Sequence, residues 1–309
     1  MQIKAFGGII NMSERNKSFL ITQVSLVAND QLTLFDNEYE DNQEGRNQLF
    51  RNVFFDIVEN KKIVYKGRQL DNILLFSRKL TEETFYFKLA KQKKKEINAF
   101  FEDDIKAVKL DDFPHIDVFV NLRLQQILVE VKESIFAPNE AIEILKRIIQ
   151  VGTKKYNYSV FVNTVDDIQS FWERVDQKNA DEILEIKFEM IAPNFFGNAG
   201  QAKDLVDDAK SNVNATEVSI TLVNKKGKLK ASMEHLDSFV RYSSFSGEWK
   251  VKVRKDGYVK TLKSNDMSLK KNVPEMVLDT IREISDNTNN IDAYNRCVSQ
   301  IESMFVDRG

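Results

Sequence analysis

Apolar positions along this chain recur with two periods, and the switches between them lay out the elements. Residues 19–28 (FLITQVSLVA) are rich in β-branched side chains and predict a strand. Residues 52–58 and 61–66 predict two more around a Glu59-Asn60 turn, and 84–89 (TFYFKL) another. A charged stretch over 90–110 predicts helical or mixed structure, and two short apolar strands follow over 116–120 and 126–132. Asn139 is placed to cap a helix running to about residue 150, in which Ala141, Ile144, Leu145, Ile148 and Ile149 line one face. A strand over 158–162 and an amphipathic helix over 165–176 complete the first half.

The second half has the same mixed character. It predicts a strand over 183–192, a helix over 200–213, a strand over 217–223, a turn at 224–227 with a return strand, and a helix over 233–242. Residues 249–253 and 258–262 flank Lys255-Asp256-Gly257 and form the clearest hairpin, because Asp-Gly accepts the positive φ angles of a tight turn. Two helices close the chain, over 274–285 with proline in the first turn and over 292–305. Ile291, Tyr294, Val298, Ile301 and Phe305 make a short heptad seam, which serves either core packing or a dimer contact. The element order predicts an α+β fold in two domains, 1–182 and 183–309, each a mostly antiparallel or mixed sheet with packed helices.

A length of 309 residues fits two domains at roughly 100 to 200 residues each. Composition narrows the chemistry. Cys297 is the only cysteine, which excludes a disulfide scaffold and a cysteine zinc cluster, and His115 and His235 are the only imidazoles for a zinc site or a Ser-His-Asp relay. Residues 1–10 lack the charged and apolar regions of a signal peptide, and no apolar run approaches the roughly 18 residues of a membrane span. The expectation is a cytoplasmic protein without a bound cofactor. The acidic stretch 30–44 is a solvated connection, or a segment competing with a polyanion for a basic groove.

The net charge of −2 argues at first against a polyanion partner. It conceals a split. Thirteen basic against five acidic residues over 225–271 give +8, so the remainder carries −10. In the Asp-Gly hairpin, Lys250, Lys252 and Arg254 alternate with Trp249, Val251 and Val253, so one face is cationic and the other apolar. Lys225, Lys226, Lys228 and Lys230 form a second cationic tip around Gly227, and Lys255, Lys260 and Lys263 extend the hairpin's charge. These residues are the candidate phosphate contacts for double-stranded DNA, bound without sequence readout; no aromatic platform for single strands accompanies them. The plain alternative is that edge strands carry lysine to block aggregation. A further cluster, Lys88, Lys91, Lys93, Lys94 and Lys95, lies in the first half.

A nuclease reading competes. Asp117 followed by Glu130-Val131-Lys132 has the spacing of the PD-(D/E)xK motif, in which the two carboxylates hold a magnesium ion and the lysine activates water. Glu96 or Glu102 would supply the upstream acid. Alternating Glu and Lys on a half-exposed strand also arises without function. Residues 194–200 (NFFGNAG) before a helix offer an anion turn that lacks the lysine and hydroxyl of a P-loop. A protein-binding adaptor with neither activity is the third class.

Phe113-Pro114 leading into a strand, a second strand, and Phe136-Ala137-Pro138 opening a helix resemble the middle of the RexA-type phage-exclusion proteins of temperate phages. The order continues with a strand over 185–193, a helix over 203–210, a strand over 217–223 with a charged turn, and a closing helix containing Tyr294, Ser299, Ile301 and Phe305. The resemblance covers roughly residues 111–305. It implies a two-domain, homodimeric, DNA-binding protein of anti-phage defence, partnered with a membrane protein that carries out the lethal or growth-arresting step. That family does not depend on a Glu-x-Lys pair at this place, which counts against the nuclease.

Overall fold

The computed structural model describes residues 15–29, 39, 42–67, 71–101, 104–137, 139–175, 182–192, 200–225, 228–283 and 291–306. Among them the chain forms fourteen strands and seven α-helices, an α+β fold in which the strand pairings are antiparallel. Most of the acidic stretch 30–44 and of the 194–200 turn falls outside the described residues.

The first sheet begins with β1 (Asn16–Ala28), whose one edge pairs with β8 (Gln126–Glu130). From there the sheet runs through β7 (His115–Asn121), β4 (Thr84–Lys91) and β3 (Asp71–Lys79) to β2 (Lys62–Lys66). The other edge of β1 is shared: residues 22–28 pair with β9 (Tyr158–Thr164), and residues 16–20 pair with β14 (Lys270–Pro274), which arrives from far along the chain. Both faces are covered. Phe85, Phe87, Leu89, Val118 and Val120 pack against α1 (Gln43–Glu59) and α2 (Glu140–Thr153). On the opposite face Phe19, Ile21, Tyr86, Phe119 and Leu128 pack against α6 (Glu275–Glu283) and α7 (Ile291–Glu302). Burial on both sides explains why the middles of β7 and β8, Val118-Phe119-Val120 and Ile127-Leu128-Val129, are continuously apolar.

Residues 52–58 are not a strand but the end of α1. Leu49, Phe50, Val53, Phe54 and Ile57 fall on one helical stripe and are buried, and the Asn42 side chain caps the helix by accepting the Gly45 N–H at 2.8 Å. The stretch 90–110 is also not helical. It forms β5 (Lys93–Phe101) and β6 (Asp104–Asp112), a two-stranded ribbon that continues the β4–β7 pair past the sheet, with Ala90 opposite His115 and Lys93 opposite Asp112. Asn139 takes a left-handed φ of 64° without a side-chain cap; Glu140 instead accepts the Ala137 N–H at 2.9 Å.

The second sheet has the order β11-β10-β12-β13, formed by β11 (Glu217–Val223), β10 (Glu182–Ile191), β12 (Gly247–Lys255) and β13 (Tyr258–Lys263). One face packs on α3 (Ile168–Val175), α4 (Gly200–Val213) and α5 (Met233–Phe245) through Phe171, Ile186, Phe188, Val240, Trp249 and Val251, and through Met190, Ala202 and Val206. The β12–β13 turn has positive φ at Asp256 and Gly257, as its sequence predicts. The return strand expected after 224–227 is absent: residues 228–232 have no regular structure.

Glu182 opens the second sheet, yet the chain does not stay with it. After β13 it returns to the first sheet as β14, α6 and α7, so a division at 182 separates the sheets but not the segments that build them. Ile301 and Phe305 of the heptad seam join the core on α6 and α7, Val298 is buried, and Ile291 is exposed. No helix among the described residues is long and apolar enough to cross a membrane.

Candidate nucleic-acid interface and buried carboxylates

The cationic stripe of β12 faces away from the helices, as its alternation predicts, but it does not stand alone. Antiparallel pairing sets β10 beside it, and β10 carries its own outward charges at Glu185, Lys187 and Glu189. Lys250 Nζ lies 2.9 Å from Glu189 and 3.3 Å from Glu248, and Lys252 Nζ lies 2.8 Å from Glu185. Lys187 pairs with Glu189 as well. Lys187 and Lys250 hold the Glu189 carboxyl below its ordinary range, and Glu189 with Glu248 raises Lys250 against the opposing effect of burial. The middle of this face is therefore a ladder of matched charges, and its cations are already occupied.

One end of the sheet differs. The loop after β11 is tied to the start of β10: Leu229 N–H donates to Ile183 O at 2.9 Å, and the Asn224 side chain closes the loop onto Lys228 O at 3.1 Å. The β12–β13 turn lies at the same end, since Arg254 is opposite Glu182. Glu182 accepts from both, with Lys228 at 3.3 Å and Arg254 at 3.2 Å, and these partners hold its carboxyl below the usual range, Lys228 foremost. Two turns that are about 30 residues apart in sequence thus bring together Lys225, Lys228, Lys230, Arg254, Lys255 and Lys260, against Glu182 and Asp256 among the described residues. All six cations are exposed. Lys260 lies opposite Val253, on the helix-side face at the sheet edge, whereas Lys263 lies opposite Lys250 on the outer face. Lys226 is outside the described residues.

The nuclease candidates are partly brought together. Asp117 and Glu130 sit on neighbouring strands, and the Asp117 N–H donates to Glu130 Oε2 at 2.8 Å. Both are buried, at 1% and 5% exposure, on the face covered by α6. Their oxygens already have partners. Arg282 of α6 and the Tyr86 hydroxyl, at 2.8 Å, bind the Asp117 carboxylate; Lys17 lies 3.1 Å from Glu130 and 4.0 Å from Asp117. Burial opposes the Arg282 charge, but Asp117 and Tyr86 outweigh it and hold the guanidinium above its ordinary range. Burial, with Asp117 beside it, keeps the Tyr86 phenol protonated. Two fixed cations stand where a magnesium ion would need to bind, so the arrangement does not fit one. Lys132 is exposed beyond the end of β8, where it lines a cavity of about 330 Å³ with Glu130, Asn265, Asp266 and Lys270. Glu96 lies on the exposed ribbon, and Glu102 is outside the described residues. Among the described residues no three acidic, histidine or cysteine side chains are grouped to hold a metal.

Sequence reasoning did not find Lys17 or Arg282, because a partner 100 or more residues away leaves no local pattern. His115 opens β7 of the first sheet, whereas His235 lies in the first turn of α5, a helix packed on the second sheet. Lys91 is engaged by Glu140 at 2.6 Å, and Lys93 donates to Ser134 O at 3.1 Å, both beside the first sheet. Compared with protein-family models and with curated proteins, the chain matches none.

Proposed function

We propose that this protein binds the phosphate backbone of double-stranded DNA, without sequence readout, through the cationic end of the second sheet. The observation that carries the reading is the convergence of the 224–230 loop and the β12–β13 turn on Glu182, which gathers six exposed cations in one place. Cations gathered on one rim interact with a polyanion more strongly than the same charges paired one by one along a strand. The outer face of the sheet offers Thr221, Ser219 and Thr261, and the β12–β13 turn exposes the single ring of Tyr258; one ring is no platform for successive bases, which favours backbone contact over base stacking. Together with the resemblance to RexA-type proteins, this makes the chain a cytoplasmic sensor or effector of anti-phage defence that works with a membrane-protein partner.

The site is tested by charge neutralisation at two places on one sheet. Lys225→Gln with Lys230→Gln lowers the salt slope of duplex binding by about two, one for each phosphate contact removed. Lys250→Gln with Lys252→Gln, which removes cations already engaged by Glu189 and Glu185, changes the slope by less than about one. A larger effect at Lys250 and Lys252 would move the site to the ladder, and no effect at either place would end the reading.

A further inference from the structure

A cavity of about 500 Å³ opens between α1 and the turn Lys154–Tyr156 that follows α2. Phe55, Asp56 and Glu59 of α1 line it, together with Tyr39, Lys155 and Tyr156. The three α1 residues follow helical spacing and lie beside the buried stripe of Leu49, Phe50, Val53, Phe54 and Ile57. The rings are held by packing. Tyr39 and Tyr156 meet edge to face, with centroids 4.8 Å apart and planes at 88°, and the Asn52 amide donates to the Tyr39 hydroxyl at 2.6 Å. Phe55 sets an edge against Phe85 and remains 38% exposed.

The charge at this cavity is negative and uncompensated by its own helix. Asp56 and Glu59 are both exposed in the last turn of α1, which contains no basic residue. The carbonyl end of a helix already carries partial negative charge, so two carboxylates there cost stability that a bound cation would restore. Neither has an ion-pair partner among the described residues. Lys155 shows which cation suits the walls, since its Nζ lies 4.5 Å from the centre of the Tyr156 ring. The site thus offers carboxylates for ammonium groups and aromatic rings for the stem between them. Side chains three apart on a helix stand about 5–6 Å from each other, a separation that three or four methylene groups between two ammonium groups reproduce.

We propose that this cavity binds a linear alkyl polyamine, whose ammonium groups engage Asp56 and Glu59 and whose methylene stem packs on Phe55 and Tyr156. Lys155 is the internal cation that competes with it. The site is separate from the proposed DNA contact and does not depend on it.

Isothermal titration calorimetry of the full chain with spermidine tests this, at about 150 mM salt so that diffuse attraction to surface acids is screened. Spermidine binds the wild type at one site. Asp56→Asn with Glu59→Gln weakens binding by about tenfold or more, while the urea midpoint of that variant is no lower than that of the wild type, because the last turn of α1 has lost its unfavourable charge. Phe55→Leu weakens binding by about threefold. Lys155→Gln tightens it by about threefold, since the competing cation is gone. Absence of spermidine binding overturns the proposal, as does an affinity indifferent to the carboxylate exchange or to Phe55→Leu. Equal displacement of spermidine by magnesium, which has no use for aromatic walls, overturns it too, and so does an affinity unchanged or weakened in Lys155→Gln.

Discussion

Asp166 sits where the two sheets meet, 3% exposed, with its N–H donated to Ser244 O of α5 at 3.0 Å and its backbone bridged to Ser268. Burial pushes its carboxyl up to about 8; the Ser264 and Thr164 hydroxyls oppose the shift and Glu248 adds to it. In an unfolded chain the same group ionises near 4. Between about pH 4 and 8 the folded state keeps a proton that the unfolded state has released, so stability falls as pH rises through that window and levels off above it. Asp166→Asn removes the dependence. Its stability gain over wild type grows by up to roughly 1.4 kcal/mol per pH unit across the window, as read by urea unfolding at stepped pH, and a gain independent of pH would contradict this origin. A second residue acts through space alone. A Cβ on Gly247 would lie 1.8 Å from Glu189 O, so Gly247→Ala forces β12 away from β10 and costs about 1–3 kcal/mol in the same experiment.

Helix α6 is held to the first sheet by two kinds of contact. Val277, Leu278 and Ile281 are buried in the core, each contributing roughly 1.5–3 kcal/mol relative to exposure. Arg282 reaches Asp117 beneath the helix and also pairs with Asp279 at 2.8 Å. Arg282→Met leaves the Asp117 carboxylate buried with the Tyr86 hydroxyl and, at 4.0 Å, Lys17 beside it and destabilises by about 3 kcal/mol, whereas adding Asp117→Asn recovers much of the loss. Denaturant midpoints of the two variants measure that coupling; equal midpoints would show that the ion pair does not fasten the helix. Elements with a strong local signature were legible from sequence. The Asp256-Gly257 hairpin and the apolar stripe of α2 form where their residues predict. Helix α1 was hidden because Phe50, Val53, Phe54 and Ile57 are aromatic and β-branched, and residue type outweighed their helical spacing. The ribbon was hidden because its charged residues alternate without a core-facing period, and it is fixed only as an extension of β4 and β7.

At the scale of the whole molecule, the α+β class and the two sheets were legible, while the return of β14, α6 and α7 to the first sheet was not. Strand β14 is only five residues, KKNVP, and its partner β1 lies at the other end of the chain. Charge followed the same rule. Counting +8 over 225–271 found the cationic loop and hairpin, but Glu189 and Glu185, which pair with Lys250 and Lys252, lie on β10, outside that window. Around Glu182 six exposed cations stand against two acids among the described residues, and this is the group proposed to hold duplex phosphates. The most direct measurement is fluorescence anisotropy of the wild-type chain with two unrelated duplexes, titrated between about 50 and 200 mM salt. Equal affinities for the two sequences are expected, with a log–log salt slope of about −4.5 to −5.5 for contact with five or six phosphates. A slope near zero, or no binding at the lowest salt, would contradict it.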